Sequence, residues 1–151
     1  MHTFESWLAE LGRRKIDFIL VGGLAVDLCG FSRSTFVMDI LISVDSSNIR
    51  RLISALEDFG EGSGAQLTEN DFSLEEGCIR INEDFPLDIF TMMSGKTWED
   101  LLPYTCKKKI EDAEIHYLSP QGIIFLKSDS MRAKDQLDIQ AMNRIIQEQK
   151  R

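Results

Sequence analysis

The spacing of apolar residues at the start of the chain predicts a helix followed by a buried strand. Four apolar residues recur at intervals of three and four positions, which predicts an amphipathic helix that ends near Gly12. They are Phe4, Trp7, Leu8 and Leu11. The next segment, residues 17–21, is apolar almost throughout, as expected of a strand covered on both faces.

The following segment repeats the alternation of strand and helix. Gly22 and Gly23 interrupt the first strand, and residues 24–28 predict a short helix that ends at Gly30. A long apolar run at residues 36–44 predicts a second strand, interrupted by one acid, Asp39. A helix is then expected from Ser46 or Ser47 to Gly60, because serine favours the N-cap position and glycine the C-terminal end.

The second half of the chain predicts two hairpins and a helical end. The hairpins join residues 78–81 to 87–90 and residues 107–110 to 115–118. Ser119 and Pro120 predict the start of a helical region that reaches about residue 147, with a break near 131–134. The pattern therefore predicts an α/β (α+β) fold, with a mixed sheet of about five strands flanked by helices and a helical C-terminal end. One domain spanning residues 1–151 is expected.

Charge and cysteine content narrow the function classes. The 17 basic and 25 acidic residues give a net charge of -8, whereas a non-specific nucleic-acid binder is normally basic. An acidic chain handles phosphates through a local basic site or bound metal ions. The three cysteines are far apart and form no CxxC pair, which predicts free thiols in a reducing compartment, most simply a bacterial or archaeal cytoplasm. There is no apolar run long enough to span a membrane.

The Gly22-Gly23 corner is the first candidate for chemistry. Glycines let the backbone approach a ligand closely, and the N-terminus of the following helix offers unpaired N–H groups. This arrangement suits phosphate, but a diglycine turn alone is weak evidence, because most such turns are plain tight turns. The residues that follow it make the pattern more specific.

Those residues resemble the minimal nucleotidyltransferase superfamily, which has the DNA polymerase beta-like fold. The closest resemblance is to small bacterial nucleotidyltransferases of the abortive-infection and toxin–antitoxin type. The resemblance covers roughly residues 14–145, including the closing helical segments near 125–127 and 132–138. Residues that match in order and spacing are Gly22, Gly23, Gly30, Arg33, Thr35, Asp39 and Asp88.

The resemblance implies a nucleoside triphosphate, Mg²⁺ and transfer of a nucleotidyl group to a protein or RNA hydroxyl, with a cognate antitoxin or other partner protein. Acids two apart on a strand share a face, and a third acid on the neighbouring strand completes a ring of oxygens for two Mg²⁺ ions. Asp39 and Asp88 are the implied catalytic, metal-binding residues. The implied nucleotide-binding residues are Gly22, Gly23, Arg33, Thr35 and Lys127.

The sequence departs from the family pattern at Val37, where the first acid of Asp-x-Asp is expected. An apolar side chain cannot coordinate a cation, so metal binding is expected to weaken and the rate to fall by several orders of magnitude. Three explanations are open: a degenerate member that binds without reacting, an enzyme that uses another acid such as Asp45 or Asp84, or an introduced substitution. A nucleotide- or partner-binding regulatory module is therefore the alternative function.

The remaining site residues have structural alternatives. Arg33 either contacts the triphosphate or braces the fold, and Thr35 is expected to brace its loop. Lys127 is either a surface lysine or a phosphate ligand, and Asp135 is expected to cap the last helix or pair with a nearby base.

Overall fold

The computed structural model describes residues 2–150, which form six α-helices and six β-strands. The helices are α1 Phe4–Arg13, α2 Gly22–Leu28, α3 Ser46–Asp58, α4 Trp98–Leu101, α5 Pro120–Lys127 and α6 Ala133–Gln149. The strands are β1 Phe18–Val21, β2 Met38–Ile42, β3 Cys78–Asn82, β4 Pro86–Phe90, β5 Thr105–Ile110 and β6 Ala113–Leu118. Short 3₁₀ turns occupy Ser63–Gln66, Glu69–Asp71 and Leu102–Tyr104.

All six strands form one mixed sheet in the order β3-β4-β2-β1-β6-β5. The two hairpins, β3–β4 and β5–β6, are antiparallel and lie at opposite ends of the sheet. Between them, β1 runs antiparallel to β2, while β4 is parallel to β2 and β6 is parallel to β1. The centre of the sheet is therefore built from the two strands that flank the diglycine corner.

The sheet separates two apolar cores, which explains why its central strands are apolar at every position except Asp39. Leu20 and Ile40 belong to the core that also contains Trp7 of α1 and Leu52 of α3. Their strand neighbours, including Ile19, belong to a second core beneath α5 and α6. Successive side chains of a strand point to opposite faces, so both faces of β1 and β2 are buried.

The predicted fold class is confirmed, with corrections to several boundaries. There are six strands within residues 2–150, whereas about five were expected. The second strand is shorter than the apolar run 36–44 because Phe36 is 80% exposed and lies outside the sheet. Helix α2 begins at Gly22 itself, and the N-cap of α3 is Asp45, whose carboxylate accepts a hydrogen bond from the Ser47 hydroxyl.

The cysteines are free, as the sequence predicts: Cys29, Cys78 and Cys106 form no disulfide. Within residues 2–150, none of the helices has the length and apolar character needed to cross a bilayer. Location in a cytoplasm stays a prediction.

Candidate active site

The Gly22-Gly23 corner brings the backbone against the side chain of Asp39. Strand β1 ends at Val21, which is paired with Asp39 of β2, and α2 begins at the next residue. Gly22 has a φ of 68°, which favours glycine, and a Cβ atom there would lie 2.9 Å from the carboxyl carbon of Asp39. The corner therefore requires glycine both for its backbone conformation and for the space that the carboxylate occupies.

Asp39 and Asp88 are direct neighbours on parallel strands. Their Cα positions are paired in the β2–β4 register, so both side chains lie on the same face of the sheet. Burial and the nearby charge of Asp88 raise the pKa of Asp39 to about 6, against opposition from Arg80 and Lys134. The two carboxyl groups thus lie together beside the diglycine corner.

Arg80 holds the second of these carboxylates. Its Nε donates to Oδ1 of Asp88 at 2.7 Å, and its Nη2 donates to Oδ2 at 2.9 Å. The two residues face each other in the β3–β4 hairpin register. Both oxygens of Asp88 are therefore engaged, whereas Asp39 lines a cleft.

Helices α5 and α6 supply the opposite wall through an ion-pair cluster. Lys127 donates to Asp135 at 2.8 Å and to Asp138 at 2.7 Å, and Arg33 also donates to Asp138. Asp138 is only 1% exposed. This carboxylate therefore ties the loop before β2 to both C-terminal helices.

Asp135 stays ionised within the same cluster. Burial raises its pKa, but hydrogen bonds from Lys127, Ser130 and Arg132 outweigh burial and hold the pKa well below its usual range. The predicted pairing of Asp135 with a nearby base is observed. Its negative charge offsets part of the positive charge on this wall.

A cleft of about 440 Å³ lies between the sheet and these helices. Four basic and two acidic residues line it, although the whole chain is acidic. The basic residues are Arg33, Lys127, Arg132 and Lys134, and the acidic ones are Asp39 and Asp135. The cleft also contains Gly22 and Gly23, so it combines a local basic surface with the diglycine corner.

The chain was compared with known protein families, curated proteins and solved structures. No protein-family model and no curated protein matches the chain. Among solved structures, an antigenic nucleotidyltransferase-like protein from Paracoccidioides brasiliensis is similar, with 17% identity, a TM-score of 0.54, and coverage of 94% of this chain and 72% of that one. The lincomycin-bound lincosamide antibiotic adenylyltransferase LnuA is also similar, with 19% identity, a TM-score of 0.54, and coverage of 90% and 91%.

The chain has the nucleotidyltransferase fold. This confirms the resemblance inferred from the sequence at the level of the fold. The abortive-infection and toxin–antitoxin subtype stays a prediction.

Within the nucleotidyltransferase fold, five of the predicted site residues converge on the cleft: Gly22, Gly23, Arg33, Asp39 and Lys127. Asp88 lies beside them through its pairing with Asp39. Thr35 has a bracing position, because its hydroxyl bonds with the backbone of Val37 and its side chain packs against Gly23. The ion pairs of Arg33 and Lys127 support a bracing role for both, in addition to their position in the cleft.

The alternative acids do not reach this site. Asp45 caps α3 beyond the far end of β2, and Asp84 accepts a hydrogen bond from the backbone of His2. Neither lines the cleft that Asp39 lines. Across the described part of the chain, there is no group of three acidic, histidine or cysteine residues placed to hold a metal ion.

Sequence reasoning missed Arg80, although the signal was present. The hairpin turn is centred near Asp84, so Arg80 and Asp88, four residues on either side, are cross-strand partners. Opposite charges that face each other across a hairpin attract. Arg132 and Lys134 lie in the closing segment 132–138, but only the folded chain shows that both line the cleft.

Proposed function

We propose that the protein binds a nucleoside triphosphate with Mg²⁺ in this cleft and transfers a nucleotidyl group to a hydroxyl of a protein or RNA. In that reaction the hydroxyl oxygen bonds to the α-phosphorus, the bond from the α-phosphorus to the bridging oxygen breaks, pyrophosphate leaves, and the hydroxyl proton is released to water. We further propose that Val37 slows transfer. The observation that carries the proposal is the pair of adjacent carboxylates, Asp39 and Asp88, beside a diglycine corner in a cleft with basic walls.

The basic walls support binding of a triphosphate. Lys134 is exposed and available to phosphate oxygens, and Arg132 is also exposed although its Nε donates to Asp135. Arg33 and Lys127 lie deeper beside their carboxylate partners. Phe90, Met93 and Leu126 complete the lining with apolar surface suited to a base. The cleft can thus attract phosphate through its local basic residues, although the net charge of the chain is negative.

The carboxylate pair fits one Mg²⁺ ion. Mg²⁺ prefers oxygen ligands and is commonly held by one or two carboxylates together with substrate phosphates and waters. Asp39 and Asp88 offer oxygens from adjacent strands, and the space above Gly22 is filled by the Asp39 carboxylate. When bound, the ion offsets phosphate charge and polarises the reacting phosphoryl group.

Val37 limits what this pair can do. It lies two residues before Asp39, just ahead of β2. Residues two apart in a strand point to the same face, so extending the strand would place residue 37 on the same face as Asp39. A third carboxylate at this position is what a second metal ion requires. We therefore expect one ion in place of two, and a rate far below that of a site with three acids.

The test compares Val37→Asp with the native chain and with Phe36→Asp, a control that adds the same charge one residue earlier at an exposed position. Binding of each of the four nucleoside triphosphates with Mg²⁺ is measured by isothermal titration, and transfer by label from an α-labelled triphosphate. We expect all three proteins to bind nucleotide, and Val37→Asp to raise the transfer rate at least tenfold. Absence of nucleotide binding in all three proteins would refute the proposal.

A second candidate function is a regulatory module that binds nucleotide or a partner protein without reacting. Val37 favours it, because the missing acid removes chemistry and leaves the basic cleft intact. Nucleotide binding with no transfer, even in Val37→Asp, would favour this function. Co-purification of a stoichiometric partner with no nucleotide affinity would instead favour an antitoxin-like interaction protein.

A further inference from the structure

The contact between Arg80 and Asp88 has a geometry that matters for cation binding. Two parallel N–H groups of the guanidinium meet the two oxygens of one carboxylate, at 2.7 and 2.9 Å. Such two-point contacts are among the stronger hydrogen-bonded ion pairs in proteins. The Asp88 side chain is 9% exposed, so water competes weakly for its oxygens.

The positive charge of Arg80 also acts on Asp39. Asp39 is paired with Asp88 in the β2–β4 register, and Arg80 faces Asp88 in the β3–β4 register, so the guanidinium also attracts the Asp39 carboxylate. One guanidinium therefore compensates negative charge on both acids that the proposed Mg²⁺ would bind. A divalent cation placed between these acids meets a like charge, and Asp88 must share or release its arginine.

The position of Arg80 allows such a release. Strand β3 is the edge of the sheet and pairs only with β4 among the described strands. The Arg80 side chain is 55% exposed. An arginine is charged at all ordinary pH values, so its head group can move from Asp88 into water without disturbing a core.

We infer that Arg80 is a built-in competitor of the metal ion: it occupies Asp88 in the metal-free protein and sets how tightly the site takes a divalent cation. This rests on the proposed function, which places a cation between Asp39 and Asp88. Arg80 is thus a positioning residue, which acts on metal and substrate through Asp88.

The experiment titrates Mn²⁺ alone into the full chain and follows free ion by electron paramagnetic resonance. Arg80→Gln removes the charge, Arg80→Lys keeps the charge but loses the two-point contact, and Arg50→Gln removes an exposed arginine that pairs with Glu69. We expect Arg80→Gln to bind Mn²⁺ at least tenfold more tightly than the native chain. Arg80→Lys should be intermediate and Arg50→Gln unchanged. Unchanged or weaker Mn²⁺ binding in Arg80→Gln would overturn the inference.

A second measurement follows Arg80 directly. Mg²⁺ added to the ¹⁵N-labelled native chain should shift the Nε–H resonance of Arg80, assigned by its loss in Arg80→Gln, as the guanidinium leaves Asp88. A resonance unmoved at Mg²⁺ concentrations that occupy the site would also overturn the inference. Nucleotide binding by the same proteins separates the two proposals. If they bind nucleotide and Arg80→Gln leaves Mn²⁺ affinity unchanged, only the inference fails; if none binds nucleotide, the proposed function fails.

Discussion

Replacing Asp39 by asparagine is expected to stabilise the metal-free protein at neutral pH. Burial and the neighbouring Asp88 charge raise the pKa of Asp39 from its ordinary 3.8 to about 6. Between pH 4 and pH 6, Asp39 is therefore protonated in the folded chain and ionised in the unfolded chain. The free energy of unfolding consequently falls as the pH rises through this range. Above pH 6 the full difference corresponds to about 3 kcal/mol, which partial exposure to solvent reduces to about 1–2 kcal/mol.

The assay is thermal unfolding in the presence of a chelator at pH 4 and pH 7.5. A gain of this size raises the melting temperature of a chain of this length by about 3–6 °C at pH 7.5, with little change at pH 4. Asp27→Asn, an exposed change on α2, is the matched control and should have no such effect. A loss of stability at pH 7.5, or an equal gain at both pH values, would refute the argument that Asp39 is a strained, like-charged neighbour of Asp88.

Two further substitutions test the walls of the cleft. Asp138→Asn should lower the free energy of unfolding by about 2–3 kcal/mol, because Arg33 and Lys127 lose the buried carboxylate that both of them contact. Lys127 still contacts Asp135. Chemical denaturation measures this loss of stability, and an effect no larger than that of the exposed Asp129→Asn would contradict it. Gly22→Ala should abolish Mn²⁺ binding and cost about 1–3 kcal/mol, because the new methyl group meets the Asp39 carboxylate at a positive φ. Gly77→Ala is the control, because Gly77 also has a positive φ but open space around it, so this variant should lose a similar amount of stability and keep its Mn²⁺ affinity. Equal Mn²⁺ affinity in the two variants would refute the role of Gly22 in making room for the Asp39 carboxylate.

Much of the fold was accessible from local patterns. Segments with a strong period, such as the helix at Phe4–Arg13, were located to within one residue, because burial of one face dictates the spacing. The strand predicted at 36–44 was too long, because hydrophobicity alone does not show that Phe36 lies in solvent. The order of the strands in the sheet depends on packing between segments that are distant in the sequence, which a periodic pattern does not encode.

Some residues of the candidate site could likewise be predicted from the sequence, whereas others could not. Gly22, Asp39 and Asp88 were found because their order along the chain matched a known pattern, and their register places them together. Arg80 is not part of that pattern, and its role follows only from its cross-strand pairing with Asp88. Arg33 and Asp138 are 105 positions apart, so sequence spacing carries no signal for their ion pair, whereas Lys127 lies only 11 positions before Asp138.

If the proposed triphosphate binds in the cleft, the carboxylate of Asp138 couples it to the C-terminal helix α6, because Asp138 pairs with both Arg33 and Lys127. If phosphate draws Arg33 or Lys127 toward itself, Asp138 loses a donor, and the anchoring of α6 to the rest of the protein weakens. Backbone amides of α6 should then exchange faster with deuterium while those of α2 become protected. Occupancy of the cleft would thus be transmitted to the outer surface of the molecule through a single acidic side chain.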